Sequence, residues 1–407
     1  MSEDRLRNLM REEPLPGAAE AERRGLALIG QAYAERRPPS RLVLPRLAVA
    51  LAAAALLAAL FLTPAGAAVR DWIDDVFTAG VRHAEPALTD LPSGGRLLVE
   101  SPRGPWVVQP DGSRRLLGRY AEATWSPRGL FVAATAGRTL NALEPDGTPR
   151  WSISASGTVR DPRWSPSGFR IAYRTGWVLR VVAADGHPDR VLARRVAPVA
   201  PVWFPLGLHL LAYVDARARL RIADADTEAT LATAPAAPPK VGALSWSANG
   251  RWLLQMSRHS LRLRPVRMDK LGQDLVLAPA RRLALPAGTT VRAASFAPRG
   301  EAIATLLHRP TGQGGRDEVI VLDPAGGPPL RLFAISGRLS GLTWSPDGRR
   351  LLVGWPAADQ WLFLRVDGGR IQAVDDVPAA FAPGEPSPRR FPRTEGWCCA
   401  LAPGGGG

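Results

Sequence analysis

A five-residue turn governs what this chain can fold into: an aromatic residue, usually a small residue, usually proline, any residue, then glycine. It stands at Trp125-Ser-Pro-Arg-Gly129, Trp164-Ser-Pro-Ser-Gly168, Trp203-Phe-Pro-Leu-Gly207, Trp246-Ser-Ala-Asn-Gly250, Phe296-Ala-Pro-Arg-Gly300 and Trp344-Ser-Pro-Asp-Gly348. Successive aromatic positions lie 39, 39, 43, 50 and 48 residues apart. Proline presets φ at the first corner of a type I turn, and glycine accepts the left-handed conformation that closes it. The unit therefore joins two antiparallel strands, and its aromatic residue is an apolar plug for the space between packed sheets.

Most copies are followed by an apolar strand, such as Ile171-Ala-Tyr173, Leu210-Leu-Ala-Tyr213 or Leu351-Leu-Val353. A further strand then runs into an acidic hairpin turn, as at Asp111-Gly112, Asp146-Gly147, Asp185-Gly186 and Asp367-Gly368. Four strands of about five residues with their turns fill roughly 40 residues, the size of one β-propeller blade. The expected fold is all-β, a propeller of seven four-stranded blades, with six or eight as alternatives. Phe381-Ala-Pro-Gly384 reads as the seventh turn, so residues near 377–382 are expected to pair with the strand that begins at Arg96. The ring would then close with both ends of the chain in one blade, leaving no long exposed edge. The structural aromatics are accordingly Trp125, Trp164, Trp203, Trp246, Phe296, Trp344 and Phe381.

Ahead of the repeats, every residue from Leu47 to Leu62 is apolar, and the run continues with few interruptions to Val69. That length matches the hydrocarbon core of a bilayer. Arg36, Arg37, Arg41 and Arg46 precede it, while Arg70 is followed closely by Asp71, Asp74 and Asp75. Basic flanks stay cytoplasmic, which puts the tail inside and the repeats outside. A cleaved signal peptide is the rival reading, with Ala65-Gly66-Ala67 as its cleavage site, but such peptides start close to the N-terminus. The expected organisation is a cytoplasmic tail over 1–46 with a short helix, a single-pass signal anchor over 47–69, and a juxtamembrane amphipathic helix and linker over 70–85. The propeller follows over 86–400, and 401–407 forms a flexible tail.

The repeated Trp-Ser-Pro-Asp-Gly turn with its following strand resembles the TolB-like, or WD-like, propeller repeats. The chain lacks the repeated Gly-His and Trp-Asp of true WD repeats. TolB-like domains are extracytoplasmic scaffolds that bind proteins or peptides, so the resemblance implies an interaction role and transfers no site residues. The arrangement of tail, span and outer propeller is also similar to membrane proteins of high-GC bacteria, some linked to sigma-factor regulation. The zinc-type anti-sigma motif is absent from residues 1–46.

No catalytic motif is present: no Gly-x-Ser-x-Gly elbow, no His-Glu-x-x-His and no phosphate-binding glycine loop. The histidines at 83, 187, 209, 259 and 308 have no metal-ligand spacing, and no metal, cofactor or catalytic residue is expected. The net charge of +15 comes almost wholly from arginine, since Lys240 and Lys270 are the only lysines. Those arginines are dispersed rather than clustered with aromatics, which argues against nucleic acid as a partner. Cys398 and Cys399, the only cysteines, are adjacent. They fit a vicinal disulfide, two independent thiols, or an intermolecular or metal link. The expected function is a binding or sensing scaffold with a protein partner on a propeller face, the bilayer through 47–69, and a cytoplasmic partner of the tail. A propeller enzyme acting on an envelope carbohydrate or peptide, and a structural protein resting on anionic envelope polymers, are the alternatives.

Overall fold

The computed structural model describes residues 90–234, 241–268, 275–311, 315–383 and 390–399. The expected tail, the apolar segment 47–69 and the juxtamembrane helix lie outside the described residues, as does 401–407. Within the described residues no helix is long and apolar enough to cross a membrane.

The described chain forms seven antiparallel sheets, six of four strands and one of five. Blade 1 comprises Glu122–Trp125, Val132–Ala136, Thr139–Leu143 and Pro149–Ser154, and its first strand is the innermost. Blades 2 to 6 repeat this order over 159–194, 202–233, 243–282, 290–336 and 340–374. Blade 4 is a variant, its outer strand split between Leu275–Leu277 and Arg281–Arg282, both paired with Ser260–Met268. Blade 7 combines the two ends of the chain: Arg393–Cys398 pairs with Arg96–Ser101, which pairs with Gly104–Val108 and then Arg114–Leu116.

The shared closing blade is therefore present, but a different strand makes it. Residues Val377–Phe381 form a short helix, and Trp397 supplies the seventh structural aromatic. Phe381 is instead buried beside it, with ring centroids 5.8 Å from Trp106 and 5.3 Å from Trp361. The two prolines and short spacing of Val377-Pro-Ala-Ala-Phe-Ala-Pro383 disfavour a ladder, because proline donates no backbone hydrogen bond.

Period-two alternation explains the core. Leu97 and Val99 face blade 6, packing with Trp361 and Phe363, whereas Leu98 faces blade 1 and packs with Trp125 and Val132. Seven such clusters fill the seven blade interfaces, and each carries one turn aromatic: Trp125, Trp164, Trp203, Trp246, Phe296, Trp344 and Trp397. None of the seven is more than 9% exposed.

The serine of the turn has a defined task. Ser126, Ser165, Ser247 and Ser345 are buried, and the Oγ of each accepts the backbone N–H five residues on at 2.8–3.1 Å. Their own backbone carbonyls accept from the turn glycines, whose φ of +66° to +81° lies in the left-handed region. In a meander of this order the aromatic turns and the Asp-Gly turns share one face of the ring, here named the turn face. The turns between second and third strands, and the links between blades, occupy the opposite face.

Candidate functional site

The innermost strands surround the ring axis, and three carboxyl groups meet where blade 7 adjoins blade 1. Glu395 lies on Arg393–Cys398 with its surface open to solvent, although protein encloses it on most sides. Such a position describes a lumen, wet but poorly screened. Glu100 stands half-buried on the neighbouring strand, and burial, the Glu395 charge and a hydrogen bond with Glu395 push its carboxyl up to about 8. Glu395 is also raised by burial, which outweighs the opposing pull of Arg163, Glu100 and Arg393. At neutral pH the pair thus holds a proton, with Glu100 as donor. Glu122 completes the group and is fixed by Arg160 Nη1 at 3.1 Å and the Asp161 N–H at 2.6 Å.

Glu395 also lines a cavity of about 620 Å³ on the turn face. Its walls are the turn residues Pro127, Arg128, Pro298, Arg299 and Pro346, together with Thr124 and Trp397-Cys-Cys399. The cysteines occupy the place of Ser-Pro in the other turns. Their Sγ atoms lie at bonding distance from each other, and the left-handed φ of +55° at Cys399 supplies the bend that turns both sulfurs the same way. Cys398 Sγ lies 3.7 Å from the Ser126 carbonyl oxygen and Cys399 Sγ 3.3 Å from that of Pro127, so the pair is wedged against blade 1. Glycine suits position 129, whose φ of +66° is left-handed and where a Cβ would come within 2.7 Å of Arg96 Nη2 and 3.1 Å of Cys399 Sγ.

Two histidines that spacing left unassigned have partners. His308 Nδ1 lies 2.7 Å from Asp317 Oδ1, and Asp317 Oδ2 accepts from Arg292 Nη1 at 2.5 Å and from the Leu339 N–H at 2.8 Å. This fully buried carboxylate ties blade 5 to the link into blade 6. On the turn face, His209 Nδ1 lies 2.5 Å from Asp226 Oδ2, and its Nε2 lies 3.1 Å from Ser167 Oγ. Burial works to raise the Asp226 carboxyl, but hydrogen bonds from His209 and Arg170 hold it below its ordinary value. The exposed Phe169, Leu206 and Leu208 belong to the turns of the same two blades, and the exposed Leu130 to the turn of blade 1. No sequence spacing predicts this line, because it crosses between blades. Among the described residues no group of His, Cys, Asp and Glu is arranged to hold a metal ion.

The opposite face carries a second cavity, a groove of about 600 Å³ between blades 7 and 1. It is lined by Pro102-Arg-Gly104, the link Gly118-Arg-Tyr-Ala121 and Ala136-Gly137. Its floor depends on close backbone approach, since a Cβ on Gly104 would sit 1.9 Å from the Gly118 carbonyl oxygen.

No family model matches the chain, and no curated protein matches it. Among solved structures it is similar to Kuenenia stuttgartiensis hydrazine synthase, at 14% identity and a TM-score of 0.47 over 60% of this chain and 76% of that one. It is also similar to the Cps50 (Swd1) β-propeller domain of Myceliophteria thermophila, at 11% identity and a TM-score of 0.44 over 62% and 85% of the two chains. Likenesses this distant carry no argument about activity. The chain folds as a seven-bladed β-propeller with two unlike faces.

Proposed function

We propose that the chain is a membrane-anchored, extracytoplasmic propeller of the TolB-like kind that acts as a binding or sensing scaffold. Residues 47–69 anchor it in the bilayer, the ring presents a face to a protein partner, and the tail over 1–46 meets a cytoplasmic partner. The observation that supports this reading best is the rigid closed ring, whose seven interfaces are filled by apolar side chains while both faces retain open cavities of about 600 Å³. Side chains on such a frame are held without the ring having to reorganise, which lowers the cost of binding. In-cell crosslinking from the turn face and from the tail, with protease protection of intact cells, tests it. Protection of the ring from external protease would remove the extracytoplasmic placement. A tail that captures no cytoplasmic protein would remove the relay.

A propeller enzyme is the second reading, favoured by the line Ser167 Oγ, His209 Nε2, His209 Nδ1 and Asp226. Ser167 Oγ also accepts from the Phe169 N–H and meets Ser165 Oγ, and Arg170 engages Asp226, all of which suit an inter-blade latch. Labelling by a fluorophosphonate that vanishes in Ser167→Ala would establish the enzyme; an unlabelled chain would leave the latch.

A further inference from the structure

The turn between second and third strands is the same structural position in every blade, and five consecutive blades fill it in a patterned way. Blades 7, 1, 2, 3 and 4 present Arg103, Arg138, Trp177, Arg217 and Arg258 there, all exposed, with Trp177 63% accessible. Among the described residues none of the four arginines is in an ion pair. Arg103 reaches only the Pro383 carbonyl oxygen at 3.5 Å, and Arg138 that of Ala155 at 3.2 Å.

Four acids of this face are engaged by other cations. Glu122 is held by Arg160, Asp161 by Arg174, Asp215 by Arg219 and Arg221, and Asp317 by Arg292 and His308. The arginines of the arc therefore carry no ion-pair partner among the described residues, and the arc passes over the groove lined by Arg103, Arg119 and Tyr120. It ends before blade 6, where the equivalent turn carries Asp359.

We propose that this arc binds an acidic polysaccharide, so that the partner of the scaffold inferred above includes a uronate-bearing polymer on the face opposite the aromatic turns. Guanidinium forks pair with carboxylates through two parallel hydrogen bonds. One cation at each of four of the five blades matches a ligand whose charge recurs along its length better than a single small anion. The exposed indole of Trp177, set among the arginines, offers an apolar plate to the face of a sugar ring, which a polymer without rings could not use. The inference rests on the scaffold reading and is narrower than it.

The test measures binding of the full-length chain in detergent to polygalacturonate, with dextran, polyaspartate and single-stranded DNA as comparison polymers. Polygalacturonate should bind and dextran should not, and the affinity should fall as salt rises from about 50 to 300 mM. Combined Arg103→Glu, Arg138→Glu and Arg217→Glu should weaken it at least about tenfold. Trp177→Ala should weaken polygalacturonate roughly fivefold, on the order of one sugar–aromatic contact, and leave polyaspartate unchanged. All four side chains are exposed, so an unchanged melting temperature confirms that the variants fold.

Failure to bind polygalacturonate overturns the proposal. So does equal binding of every polyanion with no effect of Trp177→Ala, which would reduce the arc to general basicity. Tighter, Trp177-dependent binding of single-stranded DNA would assign the arc to nucleic acid instead. Loss of polymer binding with protein crosslinks intact sinks this inference alone, whereas loss of both sinks the scaffold reading.

Discussion

Asp317 has no exposed surface, and three donors from separate segments converge on its carboxylate. Removing one partner of a buried charged pair leaves the other uncompensated, at a cost of about 3–5 kcal/mol. Asp317→Ala should therefore lower unfolding free energy by that order in a urea titration. Glu100 behaves oppositely. Its folded-state pKa of about 8 lies above the ordinary value of 4.5, so the fold favours the protonated form. Stability from this group is fully present below about pH 4.5 and is lost as pH rises towards 8. Glu100→Gln should match the parent near pH 4.5 and exceed it at pH 8.5 by about 1–2 kcal/mol, a figure reduced for water in the lumen. Denaturation at the two pH values checks it, and a larger pH dependence in the variant would contradict the carboxyl pair. We further propose that Cys398 and Cys399 form a vicinal disulfide. Intact mass should then rise by about two daltons on reduction, one hydrogen per sulfur; an unchanged mass would leave two thiols.

Among the elements, the turn is the one whose chemistry could be read in advance. Proline, glycine and the plug aromatic each act through local geometry, so six copies were legible without tertiary information. The seventh was not. Trp397 stands 53 residues after Trp344 (397 − 344), and its turn lacks both serine and proline. Phe381-Ala-Pro-Gly384 imitates the local signal better than the true strand does. What decides between them is pairing with Arg96–Ser101, a contact made across the whole chain. Two substitutions test the turn. Ser247→Ala removes the acceptor for the Trp252 N–H and should cost about 1–2 kcal/mol. Gly250→Ala should cost more, because its φ is +70° and a Cβ would lie 2.4 Å from the Phe204 ring. Thermal melts of both variants would order them. If Gly250→Ala were the milder, the close approach would not matter.

For the whole molecule, fold class and blade number follow from a repeat, and a repeat is visible in one dimension. The sites are not, because each joins residues from different blades. Ser167 and His209 are 42 positions apart, and Glu100 and Glu395 lie at opposite ends of the described chain. Only the arc of arginines has a sequence trace, as one residue at an equivalent turn of successive blades, and dispersed charge hid it. Trp397→Ala tests closure at this scale. Losing the buried indole and its hydrogen bond to the Gly94 carbonyl oxygen should cost about 3–5 kcal/mol. It should also make the chain dimerise at high concentration by exchange of the closing strand, which light scattering would show.

That closing strand also sets an order in time. Gly94 and Trp397 are 303 residues apart, so at about 5–20 residues per second the ribosome needs roughly 15–60 s to supply the partner of Arg96–Ser101. Throughout that interval the strand Arg96–Ser101 has a bare edge, open to any extended chain that reaches it. A nascent propeller of this design has to be shielded from its own neighbours until its last strand emerges. Slow synthesis or a late stop codon would then do more harm than most changes in its core.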